Sequence, residues 1–200
     1  MEIFKHDGWR AVRWITSIFA SNVYLIVPEA GSEAAVIDAG GAARNVASYC
    51  RKNSLELKYI ILTHRHLDHA IAASRMRRAT GATVLAGRLD SRSKKAFSDG
   101  GGSLEDKDRI ELGPLSIQIV TTPGHTPGGI SLSIKEALFT GDTLFANGIG
   151  RTDFKGGDYQ AMLNSLKRLF TFPEKTAVYP GHGPPTTIGR EIRGHNPIFS

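Results

Sequence analysis

Short apolar runs alternate with longer amphipathic patterns along most of this 200-residue chain. Runs of four to seven residues that are rich in apolar, often β-branched side chains predict strands. These strands are predicted at 21–27, 34–38, 58–62, 83–86, 109–112, 115–121, 130–134, 137–140 and 176–179. Apolar residues spaced three and four apart predict helices. These helices are predicted at 42–52, 69–80, 158–170 and 187–193.

The order of these elements predicts an α/β fold. Strands come in pairs and groups separated by helices, and the chain is too short for a barrel of eight strand–helix units. We therefore expect a four-layer αββα sandwich. The segment 98–106 is rich in glycine, serine and acidic residues and predicts a mobile loop. Because strands resume after this loop, residues 1–200 are expected to form one domain.

Composition narrows the class of protein further. A hydrophobic content of 40% supports a sizeable core, and no apolar run approaches the ~18 residues that a membrane span needs. Charged and polar residues interrupt the N-terminus where a signal sequence would be apolar, so we expect a cytoplasmic protein without membrane contact. Cys50 is the only cysteine, which excludes an internal disulfide, and its helical position predicts a packed thiol.

The net charge of +6 favours anionic ligands over cationic ones. Much of the excess lies between residues 75 and 95, at Arg75, Arg77, Arg78, Arg88, Arg92, Lys94 and Lys95. Two interpretations of this segment are open: a solvated helix face, or a contact surface for an acidic substrate or RNA.

Four potential metal ligands lie within six residues, directly after the predicted strand 58–62. They are His64, His66, Asp68 and His69. Imidazoles and a carboxylate at this density suit a borderline divalent metal. The carboxyl end of a core strand is also where open α/β sheets place their ligand sites.

Three later stretches repeat this placement at a predicted strand end. The sequence T-P-G-H-T-P-G presents His125, the sequence T-G-D-T presents Asp142, and the sequence P-G-H-G-P presents His182. Proline and glycine in these turns fix the backbone, so each ligand needs little reordering on binding a metal.

Together these motifs resemble the metallo-β-lactamase superfamily, over roughly residues 20 to 197. The run G-I-G-R-T-D-F at 148–154 narrows the resemblance to the glyoxalase II-like hydrolases and the related persulfide dioxygenases. The resemblance implies an αββα sandwich with two divalent ions per chain, Zn²⁺ as first choice and Fe²⁺ or Mn²⁺ as alternatives. It also implies the ligands: His64, His66 and His125 for metal 1, Asp68, His69 and His182 for metal 2, and Asp142 as the bridge.

In such a site a water between the ions has a pKa near or below ~7, so hydroxide is available to attack a polarised carbonyl. The resemblance assigns to Asp68 the further role of orienting this hydroxide. A thiolate, with a parent pKa near ~8.5, departs without a proton donor, whereas an amide nitrogen does not. The sequence offers no compelling general acid, because Tyr24, Tyr159 and Tyr179 are all predicted to be core residues.

Hydrolysis of a small anionic thioester such as acyl-glutathione is therefore the leading hypothesis. Arg151 matches a basic glutathione contact of glyoxalase II and is the candidate substrate-binding residue. The chain departs from full-length glyoxalase II after His182, where Gly183-Pro184-Pro185 replaces an aromatic residue and the C-terminal helical domain is not expected.

Three other functions stay open. A mononuclear iron persulfide dioxygenase would use His64 and His66 with Asp142 or His125 as a facial triad. A nuclease of the same superfamily would use the basic segment, although no added RNA-binding arm is visible and a nucleic-acid partner is not expected. A non-catalytic binding protein agrees least with a full set of ligands, and the sequence does not predict the oligomeric state.

Overall fold

The computed structural model describes residues 1–91 and 101–199, with side chains described as far as residue 194. Its first sheet has seven strands that follow one another in chain order. The first four pair in antiparallel fashion, and the fourth to the seventh pair in parallel. They are β1 (Glu2–His6), β2 (Trp9–Ile15), β3 (Asn22–Pro28), β4 (Glu33–Ile37), β5 (Glu56–Leu62), β6 (Thr83–Gly87) and β7 (Gly102–Leu104).

The second sheet has six strands in the order β15-β14-β11-β10-β9-β8. Only the β11–β14 pair among them is parallel. A small separate hairpin, β12–β13, lies between β11 and β14 in the sequence. The strands are β8 (Arg109–Leu112), β9 (Leu115–Thr121), β10 (Ile130–Ile134), β11 (Ala137–Gly141), β12 (Leu144–Phe145), β13 (Gly148–Ile149), β14 (Ala177–Pro180) and β15 (Thr186–Thr187).

Helices cover the outer face of each sheet. They are α1 (Ala43–Lys52), α2 (Leu67–Ala70), α3 (Ala73–Thr80), α4 (Arg88–Ser91), α5 (Tyr159–Leu169) and α6 (Ile188–Phe199). No helix in the described ranges is both long and apolar enough to cross a membrane.

Three apolar layers hold the sandwich together. The central layer joins the two sheets, with Trp9 and Phe139 among its fully buried members. A second layer joins the first sheet to α1 and α3, and it includes Cys50, which confirms the predicted packed thiol. The third layer joins the second sheet to α5 and α6 through residues such as Leu166. The predicted four-layer αββα architecture is confirmed.

Several local predictions were wrong. The N-terminal hairpin β1–β2 was not predicted, because charged side chains interrupt its apolar pattern. The predicted helix 69–80 is divided into α2 and α3, since Ala72 N–H donates to the Ala39 carbonyl and the Ala39 N–H donates to His69. Of the predicted loop 98–106, residues 98–100 lie outside the described residues, and 102–104 form β7.

One side chain also differs from expectation. Tyr159, predicted to be core, is 53% exposed because it is the first residue of α5, directly after the N-cap Asp158. In the basic segment, Arg88 pairs with Glu105, Arg75 and Arg78 are exposed, and residues 92–95 lie outside the described ranges.

Candidate metal centre

All seven predicted donors lie past the carboxyl ends of strands at one edge of the sandwich. Strand β5 leads into His64 and His66, and α2 follows at once with Asp68 and His69. Strand β9 leads to His125, strand β11 to Asp142 and strand β14 to His182. Because these strand ends meet at one edge, residues up to 118 positions apart in the sequence (64 to 182) come together.

The first group of donors is His64, His66 and His125, whose ligand atoms all lie within 4.8 Å of one another. Nδ1 of His66 is 2.8 Å from Nε2 of His125. Nε2 of His64 is buried and has no hydrogen-bond partner among the described residues. A buried polar atom without a partner is costly unless a ligand satisfies it.

The second group is Asp68, His69 and His182, which meet the same 4.8 Å criterion. Nε2 of His182 lies 3.1 Å from Oδ2 of Asp68 and 3.2 Å from Nε2 of His69. Oδ2 of Asp68 lies 3.3 Å from Nε2 of His69. Three donor atoms therefore face one small volume.

The carboxylate of Asp142 lies between the two groups. Oδ1 is 3.4 Å from Nε2 of His69, and Oδ2 is 3.5 Å from Nε2 of His125 and 3.7 Å from Nε2 of His182. Oδ1 is buried without a hydrogen-bond partner among the described residues. Asp142 is thus within reach of donors from both sets.

These distances fit divalent metal ions. An ion with four donors at ~2.0–2.1 Å holds neighbouring donors about 3.3 Å apart. The donor–donor distances given above run from 2.8 to 3.7 Å. Neutral imidazoles with carboxylates suit Zn²⁺, Fe²⁺ or Mn²⁺ rather than a hard cation bound by oxygen alone. Two donors of the cluster, His64 and Asp142, each have a buried atom without a hydrogen-bond partner among the described residues, and such ions would satisfy both atoms.

Outer hydrogen bonds set the tautomers of three of these histidines. Nδ1 of His69 is 2.8 Å from Oδ2 of Asp38, and Nδ1 of His125 is 2.7 Å from the Arg151 carbonyl oxygen. Both partners are acceptors, so both Nδ1 atoms carry hydrogen. The Thr63 hydroxyl donates to Asp38 and therefore accepts from Nδ1 of His64, 3.1 Å away. In the neutral rings, each Nε2 lone pair then faces the cluster.

Asp38 was missed as a member of this site. It follows β4, just as the donors follow their own strands, and Gly40-Gly41 comes soon after it. That shared placement is the signal that could have identified it. Its φ of +60° is in the left-handed region, where backbone strain at a non-glycine residue often accompanies function.

The loop that carries His182 is held by a group of buried side chains. The Asn22 side-chain amide donates to the carbonyls of both Pro180 and Gly183, each at 2.9 Å. Tyr24 also donates to Pro180, and Arg13 donates to Gly183 at 3.0 Å. A Cβ on Gly181 would lie 2.3 Å from Oδ1 of Asp142, so only glycine allows this close approach.

Burial and neighbouring charges move the pKa values of the histidines in opposite directions. Burial lowers the pKa of His64 well below its ordinary value and also lowers that of His66. The hydrogen bond with Asp68 raises the pKa of His182. Burial disfavours the charged form of His69, but the Asp38 carboxylate outweighs burial and raises its pKa.

The two carboxylates also differ. Burial raises the pKa of Asp142. Burial acts in the same direction on Asp68, but hydrogen bonds with His182 and His69 outweigh it and hold the pKa of Asp68 well below its ordinary value. The metal-free cluster therefore concentrates protons on His69 and His182, which divalent cations would displace on binding.

A cavity of about 650 Å³ opens over the cluster. It is lined by His66, Asp68, His125, Asp142, Phe145, Ile149, Arg151, Phe154, Lys155 and His182. Arg151 pairs with Asp153 through two contacts of 2.9 and 2.7 Å, and its guanidinium lies 4.1 Å from the ring centroid of Phe154. The sequence did not single out Lys155 or the three apolar residues.

No tyrosine lines this cavity among the described residues. Tyr24 and Tyr179 are buried as predicted, and burial raises the pKa of Tyr179 to about 12. Tyr159 is exposed on α5 and is not among the residues of the cavity wall.

The fold and the cluster at its edge define the class of this protein. Residues 17–182 match the model of the metallo-beta-lactamase superfamily, and the chain belongs to that superfamily. Its relatives include the hydroxyacylglutathione hydrolases: GloC of Haemophilus influenzae is 34% identical, over 84% of this chain and 87% of that protein.

Two solved structures share both the fold and substantial sequence identity. ETHE1 from Myxococcus xanthus has a TM-score of 0.83 and 35% identity, over 94% of this chain and 83% of that one. TTHA1623 in a di-iron-bound form has a TM-score of 0.80 and 31% identity, over 92% of this chain and 98% of that one.

Proposed function

We propose that this protein is a metal-dependent hydrolase that cleaves thioesters such as acyl-glutathione. The observation that carries the proposal is a second complete donor group, Asp68, His69 and His182, beside the first group of three histidines. Chemistry at a single ion would leave this second group without a role. The similarity to GloC of Haemophilus influenzae supports the same reaction class.

Under this proposal the two groups would hold one ion each, and the Asp142 carboxylate would be shared between the two ions. Zn²⁺ is the proposed metal, with Fe²⁺ or Mn²⁺ as alternatives, and the di-iron form of TTHA1623 supports two ions. Two such ions lower the pKa of bound water to about 7 and polarise a carbonyl oxygen.

The protein's own residues then orient the reactants. The side chain of Asp68 is 24% exposed and lines the cavity, so it can reach both an ion and a water. A carboxylate accepts a hydrogen bond from the attacking water and fixes the direction of its lone pair. We therefore assign to Asp68 the role of orienting the nucleophile, besides binding metal.

The leaving group favours a thioester over an amide or lactam. A thiolate leaves without a proton, whereas an amine needs a general acid near its nitrogen. Tyr24 and Tyr179 are buried away from the cavity, so neither supplies that proton.

The thiol carrier of the proposed substrate, which is glutathione in acyl-glutathione, is anionic and matches the cations at the cavity wall. Arg151 and Lys155 both line the cavity, and we propose that Arg151 binds a carboxylate of the carrier. Arg151 is 63% and its partner Asp153 66% exposed. Because exposed ion pairs are screened by water and add little stability, exchanging Asp153 for a substrate carboxylate costs little.

The alternative function is a mononuclear iron persulfide dioxygenase. The 35% identity to ETHE1 from Myxococcus xanthus favours it. In that reaction His64 and His66, with His125 or Asp142, would form a facial triad on one iron.

Oxygen dependence separates the two functions. Metal-loaded protein should cleave acyl-glutathione at the same rate under nitrogen and under air, with release of one thiol per substrate. Oxygen uptake with glutathione persulfide by the iron-loaded protein, together with no cleavage of thioesters, would overturn the proposal.

A further inference from the structure

We propose that Phe145 and Ile149 form an acyl-binding subsite that selects thioesters with extended apolar acyl groups. This inference rests on the proposed thioesterase function and concerns the end of the cavity where the acyl group lies. Phe145 and Ile149, named here the acyl wall, both line the cavity over the metal cluster.

The cavity has two chemically different ends. Near the first donor group, Phe154 stands with its ring centroid 5.8 Å from that of His66, and both Arg151 and Lys155 line the same cavity close by in the sequence. Near the second donor group, the ring of Phe145 stands 6.2 Å from that of His182, at 89° to it. The guanidinium of Arg151 lies 4.1 Å from the ring centroid of Phe154, and Lys155 is the next residue, so the cations belong to the first end. An anionic carrier therefore fits the first end, and an apolar group fits the second.

The acyl wall is built on the hairpin β12–β13, where Phe145 pairs with Gly148 and Leu144 pairs with Ile149. Both residues are half-buried and line the cavity. Ile149 shares the face of buried Leu144 and packs partly against the third apolar layer, so Phe145 supplies most of the apolar surface that a ligand can cover. Covering such surface favours binding by about fourfold for each methylene group removed from water. A small polar acyl group would leave this surface exposed.

Buried hydrogen bonds hold the hairpin in place. The Asn147 N–H at its turn donates to Oε2 of Glu191 at 2.8 Å, and Glu191 is 1% exposed on α6. The Thr140 hydroxyl donates to the Leu144 carbonyl at 2.8 Å. Because the hairpin is anchored at both ends, the acyl wall is formed before substrate arrives, and little binding energy is lost in ordering it.

A panel of acetyl-, butyryl- and hexanoyl-glutathione tests the inference, because only the acyl chain differs. Wild-type kcat/KM should rise by about fourfold or less per methylene until the wall is covered. Phe145→Ala should lower kcat/KM for hexanoyl-glutathione tenfold or more relative to the wild type, with metal content unchanged. Phe145→Leu should restore part of this kcat/KM.

Two matched variants locate the effect. Phe154→Ala removes the aromatic ring at the cationic end, and it should lower kcat/KM for every substrate while keeping the rise with chain length. Tyr159→Ala removes an exposed aromatic side chain outside the cavity, and it should change neither. If Phe145→Ala and Phe154→Ala flatten the rise equally, the assignment of the two ends is wrong.

A binding measurement keeps the inference separate from the proposed function. S-Butyl- and S-hexylglutathione are not cleaved, and calorimetric affinity for them should rise with chain length in the wild type but not in Phe145→Ala. Cleavage of acetyl- and hexanoyl-glutathione with equal kcat/KM would overturn the acyl wall and leave the thioesterase standing. Absence of cleavage with the affinity trend intact would overturn only the thioesterase.

Discussion

Nδ1 of His69 lies 2.8 Å from Oδ2 of Asp38, and neither side chain is more than 3% exposed. The contact fixes the hydrogen of the imidazole on Nδ1, away from the cluster. It also places a carboxylate behind a proposed metal ligand, which makes that ligand more basic. Asp38 adopts a left-handed φ of +60° to make this contact.

Asp38→Asn should weaken metal binding at the second donor group. Asparagine has the same size and tolerates the left-handed backbone better than most residues, so the fold should persist. The lost charge should reduce affinity for the second ion by about tenfold to 100-fold. Competition with a chromogenic chelator measures this, and Asp106→Asn, at a residue that is not part of the cavity wall, is the control. If Asp38→Asn binds both ions with wild-type affinity, Asp38 does not support metal binding.

Asp142→Asn tests the bridge. The amide keeps the shape of the side chain but removes the charge that offsets two nearby dications. Metal affinity should fall, and thioesterase activity should fall by 100-fold or more. Near-normal turnover with two ions bound would show that another group bridges them.

Arg151→Ala tests carrier binding. The substitution keeps the backbone carbonyl that accepts from His125, so the donor cluster should stay intact. If Arg151 binds the carrier, KM for acyl-glutathione should rise about tenfold or more while metal content and Tm stay at wild-type values. Arg151→Lys should recover part of the affinity, because lysine supplies the charge without the planar fork.

Asp153→Ala is the matched control for Arg151. It removes the partner of Arg151 but leaves the guanidinium free. If Arg151 binds substrate, KM should stay the same or fall. If the pair only braces the loop, Asp153→Ala and Arg151→Ala should raise KM alike.

The Asp106–Arg168 pair should make stability depend on pH. The hydrogen bond from Arg168 lowers the pKa of Asp106 from 3.8 to about 2. A carboxyl whose pKa is lower in the folded state stabilises the protein above its unfolded pKa, and this contribution is lost as pH falls from about 4 to about 2.

Both side chains are partly exposed, so the contribution is on the order of 1 kcal/mol at most. In metal-free protein, Asp106→Asn should lower the free energy of unfolding by that amount at pH 7 and by much less at pH 2. Denaturant unfolding at the two pH values measures this. If wild type and Asp106→Asn differ in free energy of unfolding by the same amount at both pH values, the charge of Asp106 is not the cause.

The sequence predicted the site best where a potential metal ligand follows an apolar strand. His64, His125, Asp142 and His182 could each be placed because an apolar run ends just before them. The packing of helices against sheets followed from periodicity alone. The structure brings all of the predicted donors into one cluster, although their roles on metal remain a proposal.

The features that the sequence did not predict depend on contacts between residues that are distant in the sequence. Arg13 interrupts an apolar pattern in β2, yet it is 6% exposed because it bonds to Glu2 and to the Gly183 carbonyl. The short hairpin that carries Phe145 is stabilised by Glu191 of α6, which accepts from Asn147 across 44 residues of the sequence. Neither contact leaves a local pattern in the sequence.

The central claim is that both donor groups act together in thioester hydrolysis. Metal-free protein titrated with Zn²⁺ under nitrogen should gain activity on acyl-glutathione that reaches its plateau at two equivalents per chain. His182→Ala should bind one equivalent tightly and stay at least 100-fold less active. A wild-type plateau at one equivalent, or full activity in His182→Ala, would contradict the claim.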